Sequence, residues 1–264
     1  MENKSKYFKM VEEFLKREFI KQTSEDLNLK VKIKKILFLN IGLLLMAVAI
    51  ALFIRCNMGT SPMSAFAYVL SLVTPFNVGT ILIFFNLFFV ICEVLIAKSE
   101  FKKIQYFQVI LSFVFGYFTN FTMKLTENII PTTQLDKWIL CIASCFIMAL
   151  GIVFEVKAKT LLLPDDGILI VVSQKLEKGF GEIKVVFDVI CVILAAIISY
   201  IQLGCINAIG IGTVVSAACV GYIVKFYKKM LQKAVEAYSS EEVENIKNKS
   251  KTTLKDAKDK ITKP

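Results

Sequence analysis

Seven polar side chains interrupt stretches that are otherwise apolar: Thr60, Ser61, Asn86, Glu93, Asp165, Asp166 and Asp188. A carboxylate in a hydrocarbon setting is costly unless it carries a proton, meets a cation or lines water. The chemistry these residues could do is therefore cation or proton binding rather than bond-making catalysis. Two of the groups open helices. In Thr60-Ser61-Pro62, Ser61 stands at an N-cap and Pro62 at the first helical position, and Pro164-Asp165-Asp166 puts two carboxylates into a first helical turn. Plain capping accounts for both. The alternative is that two helix N-termini face a common cavity and contact a polar solute or ion. The neutral Ser61 end would then offer donors to an anionic group, whereas Asp165 and Asp166 would cancel the helix field and favour a cation or a proton relay. Asp188 has an i,i+4 partner in Lys184, which competes with a cavity role. Glu93 sits in LFFVICEVLI with no basic residue within one turn, and Lys98 follows five positions later. Glu155, with Lys157 and Lys159 close by, reads as interfacial.

Enzyme signatures are missing. The chain has no His, and no G-x-S-x-G, H-E-x-x-H or Walker A sequence, so no catalytic residue and no enzymatic activity are expected. Cysteines 56, 92, 141, 145, 191, 205 and 219 lie in or beside apolar runs without C-x-x-C spacing and read as small buried hydrophobes. No metal and no cofactor is expected.

The elements that must position these residues are membrane spans. At 264 residues, 56% hydrophobic and mean hydropathy +0.62, the chain is too apolar for an ordinary soluble domain. Six runs, about 36–54, 78–97, 104–123, 138–156, 183–203 and 206–224, approach the ~20 residues that a bilayer core requires. Two further apolar runs, 63–73 and 168–173, are too short. The formal charge of +10 resides mainly in the two ends, as expected of segments facing anionic lipid, so no nucleic-acid partner is expected.

Laid on itself with an offset of 102, the chain aligns without a gap from 37 to 96. Pro62 pairs with Pro164, Ser71 with Ser173, Gly79 with Gly181, Arg55 with Lys157 and Asn86 with Asp188. An internal duplication follows, with Pro62, Gly79, Pro164 and Gly181 as its structural breaks. If the short runs are re-entrant, each half has three spans and the halves are inverted. Lys98, Lys102, Lys103, Lys157, Lys159, Lys175, Lys178 and Lys184 then face inward, against Arg55, Lys124 and Lys137 outside. If the short runs are full spans, the lysine bias largely disappears, so the positive-inside rule favours inversion. Both arrangements leave the termini cytoplasmic.

The expected class is thus all-α: a polytopic integral membrane protein with two homologous, inverted repeats, about six full spans and two short broken or re-entrant helices. Its parts are a basic cytoplasmic segment 1–35 with an amphipathic helix over 7–20, a membrane repeat 36–124, a connecting loop 125–137, a second repeat 138–227 and a charged cytoplasmic tail 228–264. Gly210, Gly212, Thr213, Ala217 and Gly221 form a small-residue stripe suited to close helix packing on the last span.

R-x-x-x-G-T-S-P at Arg55–Pro62, V-G-T at Val78–Thr80 and G-I-G-T at Gly210–Thr213 resemble the YczE/YyaS/YitT group of bacterial multi-pass membrane proteins. The likeness covers about 36–226. Lys159-Thr160-Leu161 departs from it where a Gly-containing turn would precede Pro164. The resemblance implies a plasma-membrane protein and carries over no substrate. The function expected from the residues is secondary-transporter-like movement of a small polar solute or ion. Its partners would be the lipid bilayer and that solute. The alternative is a non-transporting scaffold or a regulatory, accessory protein.

Overall fold

A computed structural model describes residues 32–98, 101, 103–158 and 161–231. The amphipathic helix expected over 7–20 and most of the charged tail lie outside the described residues. Those described fold into eight α-helices and no strand. They are α1 Lys32–Arg55, α2 Pro62–Val73, α3 Val78–Ala97, α4 Gln108–Leu125, α5 Gln134–Ala158, α6 Pro164–Lys175, α7 Phe180–Leu203 and α8 Ile211–Leu231, with a 3-10 turn at Lys103–Phe107 before α4.

Five of these, α1, α3, α5, α7 and α8, are long and apolar enough to cross a membrane. Their outward faces are apolar too: Val185, Val186, Val189, Ile190 and Ile193 on α7 are all exposed, as lipid contact requires. The chain is a multi-pass membrane protein. Six spans were expected, and α4 makes the difference. It has 18 residues, but Gln108, Ser112, Thr119 and Thr122 face inward and are buried, which lowers its hydropathy without shortening it. The last span begins at 211 rather than 206, because residues 204–210 form a loop with left-handed backbone at Gly204 (φ 68°) and Ala208 (φ 66°).

Proline sets both short helices. Pro62 and Pro164 each occupy the first turn, where a missing N–H costs nothing. Ser61 stands at its expected N-cap position but does not cap; its hydroxyl donates to Ser64 Oγ at 2.9 Å.

Close backbone approaches hold the long helices together. The Phe38 and Phe154 rings lie 5.2 Å apart, and Lys157 Nζ sits 5.9 Å above Phe38. A Cβ on Gly42 would fall 2.9 Å from Glu155 N, and one on Gly151 would fall 2.6 Å from Met46 Cγ. The start of α1 therefore lies beside the end of α5, and the two run antiparallel. On the other side, α3 and α4 meet through Gly79 and Gly116, and Asn120 Oδ1 accepts the Gly79 N–H at 2.9 Å. Helix α2 packs on α7 as α6 packs on α3, and α2–α3 and α6–α7 are also in contact.

The two glycine motifs dock on each other. Gly59 has φ 103°, and a Cβ there would run into Thr213 Oγ1 and stand 2.6 Å from Gly210 N. Gly212 N donates to Met58 O at 2.8 Å, and Thr60 N to Ala208 O at 3.2 Å. The small-residue stripe is shorter than expected: Gly212 and Thr213 are buried, whereas Ala217 and Gly221 are exposed and Gly221 has open space around it. Gly181 likewise has no neighbour within 4 Å, unlike its counterpart Gly79.

Candidate functional site

The first turn of α6 is ringed by charged side chains from four helices. From α5, Glu155 is 1% exposed, and its Oε1 accepts the N–H of Leu163, the α6 N-cap residue, at 2.7 Å. The carboxylate thus accepts the N-cap residue's own N–H, the role that a capping-box glutamate plays from within a helix, here supplied from α5. Its second oxygen, Oε2, is buried without a partner. From α3, Glu93 is fully buried and lies against Gly167; a Cβ there would collide with Glu93 Oε1 and stand 2.9 Å from the Gln108 amide. With its amide oriented to face acceptors, Gln108 of α4 donates to Glu93 Oε2 at 3.1 Å and to Gln105 O at 3.3 Å. Glu93 Oε1 is left without a hydrogen bond.

α6 itself contributes Asp165, whose Oδ1 is buried and unpartnered, and Asp166. From α7, Lys184 Nζ bridges Asp166 at 3.5 Å and Asp188 at 3.8 Å. The i,i+4 pair anticipated for Asp188 thus exists, and its lysine is shared with a second helix. Among the described residues, Lys184 pairs with two of these carboxylates, Asp166 and Asp188. A buried carboxylate without a partner is expensive, which sets Glu93, Glu155 and Asp165 apart from the rest of the interior.

The other sequence candidates lie elsewhere. Thr60 is 1% exposed with its Oγ1 unpartnered, at the loop that meets Ala208. Ser61 is beside it. Asn86 is 2% exposed on α3 with Oδ1 unpartnered, and no recorded hydrogen bond joins it to either group. The structure therefore brings together Glu93, Asp165, Asp166 and Asp188 and does not bring Thr60 and Ser61 to them. Two cavities, of about 740 and 290 Å³, are lined by neither Pro62 nor Pro164.

Sequence reasoning passed over Glu155 and Gln108. Glu155 was expected at the interface because of the nearby lysines, and is buried instead. A signal was present: in the offset alignment Glu155 stands opposite Phe53 and Glu93 opposite Ala195, so two carboxylates replace fully buried apolar residues. No group of three or more His, Cys, Asp or Glu among the described residues is arranged to hold a metal ion.

The sequence profile of a family of unknown function, DUF6198, matches residues 33–229. The chain belongs to the DUF6198 family. The match begins at the start of α1 and ends near the end of α8, so it takes in every helix that builds the charged cluster. The chain is also similar to "Uncharacterized protein YyaS" of Bacillus subtilis (strain 168), with 20% identity over 200 residues, 75% of this chain and 94% of that protein. No solved structure matches.

Proposed function

We propose that this protein is a secondary-transporter-like carrier of a small polar solute or ion, with a cation- or proton-binding centre at the first turn of α6. It would act in the plasma membrane with both termini cytoplasmic, and not as an enzyme. The observation that carries the reading is the pair Glu93 and Glu155. Each is essentially unexposed, each comes from a different helix, each meets the first turn of α6 or its N-cap, and each keeps one oxygen without a partner. Membrane proteins retain such groups where ions or protons bind.

The helix arrangement supports two inverted repeats. The aligned helices α1 and α5 lie antiparallel, and the aligned pairs α2/α6 and α3/α7 make reciprocal contacts, α2 on α7 and α6 on α3. Such an arrangement suits rocking of one half against the other around a broken-helix site.

The test is flux into sealed vesicles containing the full chain, with Na⁺, K⁺ and proton gradients as separate drives and a lumenal pH or cation dye as readout. Flux above that of protein-free vesicles is expected, as is its loss in Glu155→Gln. The reading fails if no gradient produces protein-dependent flux. If, in addition, removal of 232–264 abolishes the cellular role while Asp188→Ala preserves it, the scaffold reading takes its place.

A further inference from the structure

The larger cavity has a chemistry opposite to that of the charged cluster. It holds about 740 Å³, within the ~300–1,000 Å³ of typical small-ligand sites, and lies where the end of α1, the middle of α2, the start of α3 and the end of α4 meet. Arg55 and Lys124 line it, with Glu127 as the one acidic residue in its lining. The guanidinium is held in place: Nη2 donates to Met123 O at 2.8 Å, which also offsets the negative end of α4. Its Nε is buried and has no partner. Asn77, the N-cap of α3, lines the cavity and makes no capping hydrogen bond. The opposite wall is aromatic. Phe76, Tyr117 and Phe121 are 48, 69 and 52% exposed, so this wall opens toward the side where lipid would lie.

We propose that this cavity is a binding site for an amphiphilic anion, a single phosphate or carboxylate carried on an apolar body. The Arg55 fork, the Lys124 ammonium and the positive end of α3 meet the anionic group, because planar guanidinium geometry matches carboxylate and phosphate oxygens. The aromatic wall covers the apolar body. A purely structural Arg55 would need only its bond to Met123 O; it does not explain a second cation, Lys124, in the same lining beside an aromatic wall. An anionic lipid headgroup and a free amphiphilic anion share this chemistry. The site is independent of the transport reading, since none of its residues belongs to the carboxylate cluster.

The experiment measures binding to the full chain purified in a neutral detergent. The probes are phenyl phosphate, inorganic phosphate and short-chain phosphatidylglycerol, with short-chain phosphatidylcholine as the neutral control. Thermal stabilisation and native mass spectrometry supply the readouts. Phenyl phosphate or phosphatidylglycerol is expected to bind more tightly than inorganic phosphate, and phosphatidylcholine not to compete. Lys124→Gln should weaken binding about tenfold through loss of one charge-assisted contact, and Glu127→Gln should tighten it. Lys225→Gln on α8 should change nothing. Arg55→Gln should weaken binding further, and if it fails to fold, Lys124 and Glu127 still carry the test. Binding by the lipid alone assigns a headgroup site, and binding by phenyl phosphate alone assigns a soluble anion. The proposal is overturned if neither anion binds, or if the two charge changes leave binding where it was.

Discussion

Gly167 is the position at which the charged cluster can be probed by adding a single methyl group. A Cβ built there meets Glu93 Oε1 outright and lies 3.1 Å from Glu93 Cδ and 2.9 Å from the Gln108 amide. Alanine normally favours a helix interior over glycine by ~1 kcal/mol. Against that gain stand overpacking, at ~1–3 kcal/mol, and displacement of Glu93 from Gln108, at ~1 kcal/mol for the lost hydrogen bond. Gly167→Ala should therefore lose ~1–3 kcal/mol net. Gly221→Ala is the internal control. It makes the same change in α8, where nothing lies within 4 Å, and should gain ~0.5–1 kcal/mol. The decisive step is the double mutant. Glu93→Ala removes the atoms that the new methyl strikes, so Gly167→Ala should become neutral or stabilising in that background, with a coupling of ~1–3 kcal/mol. Unfolding of the purified protein in detergent, followed by helical circular dichroism, reads all four species. If Gly167→Ala matches wild type, or if the two changes add without coupling, Glu93 does not lie against the first turn of α6 and the site as described is wrong.

Other consequences are as direct. Gly59→Ala combines a φ of 103° with a collision at Thr213 and should cost at least ~2–3 kcal/mol, seen as lost folded material in size-exclusion chromatography. Glu155→Ala orphans the Leu163 N–H and should cost ~1–3 kcal/mol, whereas Glu155→Gln keeps an acceptor for it and should stay within ~1 kcal/mol of wild type. That contrast separates the structural role of Glu155 from its charge. Asn120→Ala removes the partner of Gly79 N at the α3–α4 contact and should lower stability by ~1–2 kcal/mol; an unchanged unfolding midpoint would contradict the tight Gly79–Gly116 approach.

Much of the fold was legible because membrane spans are written in long apolar runs, and because proline fixes helix starts. Pro62 and Pro164 began helices where expected, and the helix ends at Ala97 and Leu203 matched the apolar runs. What was not legible depends on which face of a helix points inward. The run 104–123 was expected to span from its apolar length alone. In fact Gln108, Ser112, Thr119 and Thr122 form its buried side. Ala217 and Gly221 share helical spacing with Thr213, yet only Thr213 meets the 58–60 loop, because spacing along one helix carries no information about how far its neighbour extends. The site divides in the same way. Asp165, Asp166, Asp188 and Glu93 were marked as unusual by type alone. Glu155 was not, since its lysine neighbours gave it a solvent-facing explanation that only the fold of 161–163 over α5 removes.

The charge asymmetry between the halves bears on how such a molecule would work. On the transport reading, a bound cation or proton would join Lys184, which is shared between Asp166 and Asp188, in balancing these carboxylates. Glu93 lies against Gly167 and Glu155 against Leu163, and among the described residues the hydrogen bond from Leu163 N–H to Glu155 ties the α6 start to α5. Filling or emptying the cluster with cations or protons would therefore change how firmly α6 is held, and α6 packs on α3, the helix that carries Glu93. The equivalent start of α2 has Phe53 and Ala195 at the positions of Glu155 and Glu93, both fully buried. On the transport reading, α6 would respond to cations and α2 would not, and ion occupancy would then tilt the helices packed on α6 relative to those packed on α2.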